Sequence, residues 1–519
     1  MKIYWRCCLL LITTVSMYET KYGYVTWKKN KLTFKECKSS SQIPISYGAR
    51  ATFRNEINST GWAFLEVHTS KDVTDEQQAY AAGFIEGYLT RDLIWMHWQN
   101  MLKGYCYNKT DLCGLIEEFI EKNENYIASM VFLNEIDPYW YQVKLYYIQL
   151  EGLAVGYNQA TSDPYQWLTA RDMVWINMLG DLDDLALSLA LPKNLPDGLL
   201  FGDHCTGLIK LLPDFKNLYT AHATWNSYQS MLRLQKMYVL HYKVSPLDKK
   251  RIPGYKMAFT SYPAFVQTTS TSYLRAWSPG RPPSATVTRP SLASSIHYVY
   301  IVDYNKFTPS SKVCKGKAEK GLLWVIEQLP GYTEAADLTE QLVNTTYFPS
   351  YNIPYFPTIF NLSGGNVRVA TFGDWFGYKT NPRANILKEK QAGITNLRDM
   401  FNTMRYNDFK HDPLSRCACV PPYSACNAIA ARNDLNPANG TFPFRALGHR
   451  SHGGTDAKVT SWQLRKNYEF VAVSGPTFNI SRGIPPFVWS EFDMGANLPH
   501  IGHPDVWAFK PIIHHWEWT

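Results

Sequence analysis

"FGDHCTGLIKLLPDFKNLYTAHATW", residues Phe201–Trp225, decides how this chain is read. Cys205 stands directly after Gly202, Asp203 and His204, at the head of a short apolar run that ends at Leu212. A second run, Leu218–Trp225, follows the turn residues "PDFKN". Two such runs around a Pro-Asp turn predict a β-hairpin. Upstream lies "PKNLPDG" (Pro192–Gly198), a loop of the kind that tolerates processing. A lone cysteine at a strand head has two readings. One is packing, since thiols behave as small hydrophobes. The other is chemical, because a thiolate is an intrinsic nucleophile. If the His204–Cys205 bond were cut, the new α-amine, with a reference pKa of about 8, would sit beside the thiol as its base.

Outward from the hairpin, the N-terminal side reads as helix. "DVTDEQQAYAAGFIEGYLTRDLIWMHWQNMLKG" (Asp72–Gly104) opens on cap residues Asp72 and Thr74 and repeats apolar positions at Ala82, Ile85, Leu89, Leu93 and Met96. Asp111–Met130, Tyr139–Asn158 and Asp172–Leu191 continue that pattern. On the other side, "NSYQSMLRLQKMYVLHYK" (Asn226–Lys243) has helical spacing at Tyr228, Met231, Leu232, Gln235 and Val239. "HYVYIVDY" (His297–Tyr304) and "GLLWVIEQL" (Gly321–Leu329) predict buried strands, and Ile386–Met404 predicts a helix. Gln267–Ser295 is rich in Ser, Thr, Pro and Arg and lacks apolar periodicity, which reads as a linker.

A chain of 519 residues with 45% hydrophobic and 18% charged residues folds around a large core. Its net charge of +8 is spread without a basic stripe, which argues against nucleic acid and leaves transient contact with an acidic membrane surface open. Lys2 and Arg6, the apolar run "CCLLLITTV" and the small residues up to Ser16 predict a secretory signal peptide over residues 1–16. No later stretch is long and apolar enough for a transmembrane segment. Asn58, Asn108, Asn344, Asn361, Asn439 and Asn479 stand in Asn-x-Ser/Thr acceptor sites, as a secreted glycoprotein requires. Removal of Cys7 and Cys8 leaves eight cysteines. Cys106 and Cys113 are spaced for a small disulfide loop, and Cys417, Cys419 and Cys426 cluster as disulfide candidates. With His411 nearby, that cluster also admits zinc, although it lacks the paired Cys-x2-Cys spacing. No Gly-x-Ser-x-Gly, His-Glu-x-x-His or phosphate loop occurs, and no metal or cofactor is expected.

"CTGLIKLLPDFKNLYTAHATWNSYQSMLRLQKMY" (Cys205–Tyr238) resembles the nucleophile region of the phospholipase B-like family, which includes the lamina ancestor proteins. The resemblance continues in "EQLPGYTEAADLTEQLVNTTYFPSYNIPYF" (Glu327–Phe356), "FGDWFGYKTNPRA" (Phe372–Ala384), "MRYNDFKHDPLS" (Met404–Ser415), "ARNDLNPANGTFPFRALGHRSHGGTDAKVTS" (Ala431–Ser461) and "GHPDVWAF" (Gly502–Phe509). It covers most of the chain and is nearest the lysosomal phospholipase B-like 2 branch. It implies an α+β fold of the N-terminal nucleophile (Ntn) hydrolase class: an αββα sandwich with a mainly helical N-terminal part. Residues 17–204 and 205–519 are then two fragments of one globular unit, produced by self-cleavage between His204 and Cys205.

The resemblance also implies site roles: Cys205 as nucleophile, His222 in catalysis, Asn352 as oxyanion donor, and Trp225 and Arg383 as pocket residues that bind substrate. By residue type alone, His222 is a polar strand residue, Asn352 a turn residue and Arg383 a surface cation. The expected function is a lysosomal or secreted hydrolase that cleaves acyl ester or amide bonds of phospholipids or related lipids. The alternative is a catalytically inactive secreted glycoprotein that uses the same scaffold for binding. The family pattern breaks after "TSYPA" (Thr260–Ala264) and resumes near Tyr300, so residues 264–300 are an atypical, shortened connection that lacks several family blocks.

Overall fold

The computed structural model describes residues 19–29, 31–189, 205–266, 273–275, 297–329 and 331–518. The predicted signal peptide, His204, the loop before it and most of the 264–300 connection lie outside these residues.

Four strands precede the helical region: β1 (Lys21–Lys28), β2 (Lys31–Cys37), β3 (Ala49–Glu56) and β4 (Trp62–Thr69). The helical periodicity read from the sequence began only after them. The helices are α1 (Asp75–Leu89), α2 (Arg91–Met101), α3 (Thr110–Leu133), α4 (Pro138–Ala160), α5 (Ala170–Asn177) and α6 (Leu182–Leu189). Their boundaries follow from local chemistry. Thr74 caps α1 in a reciprocal capping box with Gln77, and Asp137 caps α4 ahead of Pro138. The predicted disulfide forms between Cys106 and Cys113 at the start of α3.

Then come β5 (Thr206–Leu211), β6 (Leu218–Ser227), β7 (Arg233–Val239), β8 (Lys256–Ser261), β9 (Tyr273–Arg275), β10 (His297–Val302), β11 (Leu323–Leu329), β12 (Tyr332–Asp337) and β13 (Tyr347–Ser350). Helices α7 (Pro357–Leu362), α8 (Pro382–Lys390) and α9 (Leu397–Met404) follow, then β14 (His452–Ser461), β15 (Val471–Ser474) and β16 (Ile512–Ile513). The hairpin β5–β6 forms as the sequence predicts, with Thr206 opposite Ala223.

Two sheets dominate. The first has the order β2-β1-β3-β4-β7-β8-β9, and the second β13-β5-β6-β14-β15-β16; β10, β11 and β12 form a smaller sheet. In the first sheet, Ala63, Leu65, Leu234 and Tyr238 pack on α1 and α4. The alternate residues Trp62, Phe64, Met237 and Val239 pack on Ala472 of the second sheet. The second sheet's far face, including Leu208, Ala221, Ala457 and Val459, packs on α8 and α9. Helices and sheets are thus mixed, and Cys205 stands at the head of β5 in the second sheet.

Three sequence expectations need correction. The helix expected over Asp172–Leu191 is broken into α5 and α6. Asn226–Lys243 is not a helix: after a short 3-10 turn, Arg233–Val239 is the strand β7, paired with β4 and β8. Every residue of β7 is buried, so the polar-apolar alternation that marks a strand is missing. Its charges are neutralised instead, Lys236 by Glu86 at 2.7 Å and Arg233 by Asp456 at 2.8 Å. Ile386–Met404 is two helices, because α8 ends at Lys390, a turn follows through Gly393, and Asn396 caps α9.

Candidate active site

Cys205 immediately precedes β5 and is 8% exposed. Its backbone is held from the helix side. Asn381 caps α8 by accepting from the Ala384 amide at 2.9 Å, and Pro382 occupies the first helical position. That start places Arg383 at the sheet. Its Nη1 donates to the Cys205 carbonyl at 3.1 Å and to Thr206 Oγ1 at 3.3 Å, and its Nη2 donates to the Tyr351 carbonyl at 2.5 Å. The guanidinium also lies 4.6 Å from the Trp225 ring centre, and Trp225 is itself anchored by its indole N–H on the Ile429 carbonyl. The reading of Arg383 as a surface cation is therefore corrected. Burial brings its pKa down to about 10, which still leaves it cationic at neutral pH.

Asn352 joins the same group. Its Oδ1 accepts from Arg383 Nη1 at 3.4 Å, so the Nδ2 end of the amide is the donor the site can use. Its φ of +64° lies in the left-handed region, where asparagine is among the few non-glycine residues tolerated. Tyr298 fixes the backbone there by donating to the Asn352 carbonyl at 3.0 Å.

The Cys205 thiol faces a charged cluster between the sheets. Burial pushes the thiol up, while a backbone hydrogen bond from Trp225 and the positive charge of Lys458 oppose that rise. On β14, Lys458 Nζ donates to Asp456 at 2.7 Å and to Thr224 Oγ1 at 2.6 Å. Burial alone would raise the Asp456 carboxyl, but Arg233 and Lys458 outweigh it and hold it below the usual range. A bulge on β14 between Gly454 and Asp456 sets this aim, because it brings Asp456 opposite Thr224 on β6. His222 pairs across the strands with both Gly207 and Lys458. Burial, then Lys458, drive its pKa well below 6.5, so the ring is held neutral and protonation is disfavoured.

All five predicted residues, Cys205, His222, Trp225, Asn352 and Arg383, thus lie on adjoining elements. Sequence reasoning missed Arg233, Asp456 and Lys458. A signal was present in "TDAKVTS", where polar residues alternate with Ala457 and Val459, but such a face ordinarily reads as solvated. Of the cysteine cluster, Cys417 and Cys419 are bonded. Cys426 is instead a buried thiol, pushed up to about 11 by burial, and it lines a small cleft with Trp375, Asn381, Arg383 and Asn427. It packs in an apolar cluster with Trp225, Phe376 and Phe444, beside Cys419, and keeps its thiol because Cys417 and Cys419 bond each other. The six Asn-x-Ser/Thr asparagines are all exposed.

A family model described as phospholipase B matches residues 49–275 and 291–514, so its break falls within the atypical connection. The chain is 38% identical over 515 residues to phospholipase B-like 2 of Homo sapiens, covering 90% of this chain and 86% of that protein. Phospholipase B-like 1 of Caenorhabditis elegans is 36% identical, covering 90% and 87%. Phospholipase B-like protein B of Dictyostelium discoideum is 35% identical, covering 89% and 84%. With the family matched across most of its length, the chain belongs to the phospholipase B family.

Proposed function

We propose that this chain is a self-processed N-terminal nucleophile hydrolase with an αββα sandwich, which cleaves acyl ester or amide bonds of phospholipids or related lipids through Cys205. Arg383, which grips both the Cys205 carbonyl and Asn352, and the charges of Lys458 and Asp456 acting on the Cys205 thiol carry this reading. In the uncut chain, Cys205 Sγ attacks the carbonyl carbon of residue 204. The C–N bond breaks, the nitrogen takes the thiol proton, and a thioester joins the two residues. Water hydrolyses the thioester, leaving a carboxylate on residue 204 and both a free amine and a thiol on Cys205.

In turnover, the α-amine takes the thiol proton and the thiolate attacks the lipid acyl carbonyl. Asn352 Nδ2 donates to the developing oxyanion, and Arg383 holds the Cys205 backbone in line. The alcohol or amine leaves with the proton from the α-ammonium group, and water then releases the fatty acid and restores the thiol. The names of the relatives support a lipid substrate, and the exposed Asn-x-Ser/Thr sites support glycosylation on a route to the lysosome or cell exterior. No described helix is long and apolar enough to cross a membrane.

The buried, pKa-raised state of the Cys205 thiol favours a second reading, an uncut scaffold that binds without catalysis. Secreted wild type and Cys205→Ala are incubated at pH 5, sequenced from their N-termini, and assayed for fatty acid release from lysophosphatidylcholine. The proposal expects a fragment that begins at Cys205, and release of fatty acid, in the wild type alone. A wild type that stays intact and matches Cys205→Ala in release leaves the scaffold reading.

A further inference from the structure

We infer that Glu327 is a positioning residue for this site: with Tyr298, its carboxylate holds residues 351–356 in the conformation that presents Asn352 to Cys205 and Arg383. The inference rests on the oxyanion role proposed for Asn352. That residue sits at a φ of +64°, a left-handed conformation that asparagine tolerates but that local anchors must select. Two anchors do so. Tyr298 donates its hydroxyl to the Asn352 carbonyl, and Glu327 accepts the Tyr355 amide at Oε1 (2.8 Å) and the Phe356 amide at Oε2 (3.0 Å).

Both anchors come from one rung of the small sheet, since Tyr298 of β10 and Glu327 of β11 are direct cross-strand partners. Pro357 begins α7 immediately after the gripped amides, so the carboxylate fixes the point where the segment turns into helix. Glu327 is fully buried, and its carboxylate faces Glu334 of β12 rather than a cation. Burial pushes its carboxyl up to about 7 although the two amides pull it down. An apolar residue of similar volume would leave the Tyr355 and Phe356 amides without their acceptors. What an apolar residue lacks is the two-oxygen grip on consecutive amides. Glutamine fills the same space but sets an N–H against one of them.

Glu327→Gln, Tyr298→Phe, Asn352→Ala and Glu327→Gln/Asn352→Ala are compared with the wild type. Hydrogen exchange at residues 351–356 should quicken about tenfold in Glu327→Gln, with other core peptides unchanged. Its kcat on lysophosphatidylcholine should fall about tenfold with KM within twofold, and Tyr298→Phe should fall in the same direction. The double variant should be no slower than Asn352→Ala alone, because Glu327 acts through Asn352. Unchanged exchange in the segment, or losses that multiply in the double variant, would overturn the inference. If wild type and Cys205→Ala release fatty acid equally, the proposed hydrolase falls, while the exchange data still decide whether Glu327 sets the segment.

Discussion

Arg383 donates to the backbone carbonyl of Cys205 at 3.1 Å, so α8 grips the residue that heads β5 while Lys458 and Asp456 face its thiol. The nucleophile candidate is thus held by its main chain from one layer and tuned electrostatically from another. Four expectations follow from that arrangement and from the packing that supports it.

Arg383→Lys keeps the charge but removes the fork that reaches both Cys205 and Tyr351. Losing one hydrogen bond to a charged group, about 1.5–3 kcal/mol, should slow self-cleavage at least tenfold. The half-time of fragment appearance measures it. Cleavage within twofold of wild type would mean that the grip is not needed for the reaction.

Asp456→Asn strips the shared anion from Arg233 and Lys458, both buried. The cost should be about 3–5 kcal/mol in urea unfolding, since two interior cations then face each other without compensation. In a Lys458→Met background the same change should cost less. Equal costs in the two backgrounds would show that Asp456 and Lys458 are not coupled.

Acid should weaken the fold through its buried histidines. Burial, reinforced by Arg233 and Lys236, lowers the His97 pKa to about 3, whereas the unfolded ring titrates near 6.5. The unfolded state therefore binds the proton first. His97's contribution is complete above about pH 6.5 and is lost as pH falls toward 3, by up to about 1.4 kcal/mol per pH unit. His97→Phe should flatten the fall of stability between pH 6.5 and 4, as measured by urea midpoints. An unchanged slope would remove His97 from the account.

Gly83→Ala should destabilise the helical layer. A Cβ there would lie 1.9 Å from the Gln149 carbonyl oxygen, and Gly156 makes the reciprocal approach to Phe84 on α1. Backbone rather than a flexible side chain is in the way, so the helices must separate, at about 3 kcal/mol or more. Thermal unfolding of the variant checks this, with a loss below 1 kcal/mol counting against it.

Much of this was legible in the chain. The hairpin at Cys205, the cap at Thr74 and the Cys106–Cys113 loop rest on neighbours in sequence, and the structure carries them where the residues said. The misreading of β7 had a physical cause: a strand covered on both faces loses its alternation, and Arg233 and Lys236 gave no hint of partners distant in sequence. Of the three clustered cysteines only two can share a bond, and spacing along the chain does not say which two: the structure pairs Cys417 with Cys419 and leaves Cys426 a buried thiol.

The sequence by itself determined the local elements, the position of the candidate nucleophile at a strand head and, through its long family strings, the membership of the chain. The tertiary structure alone decided what surrounds that nucleophile. Arg383 changes from a surface cation to a buried clamp, the alternating charges of β14 turn inward, and Glu327 takes hold of a segment that begins 24 residues later. Charge and hydrogen-bond partnerships act through space, over a few ångströms, and the chain's order does not encode which distant residues the sheets bring within that reach.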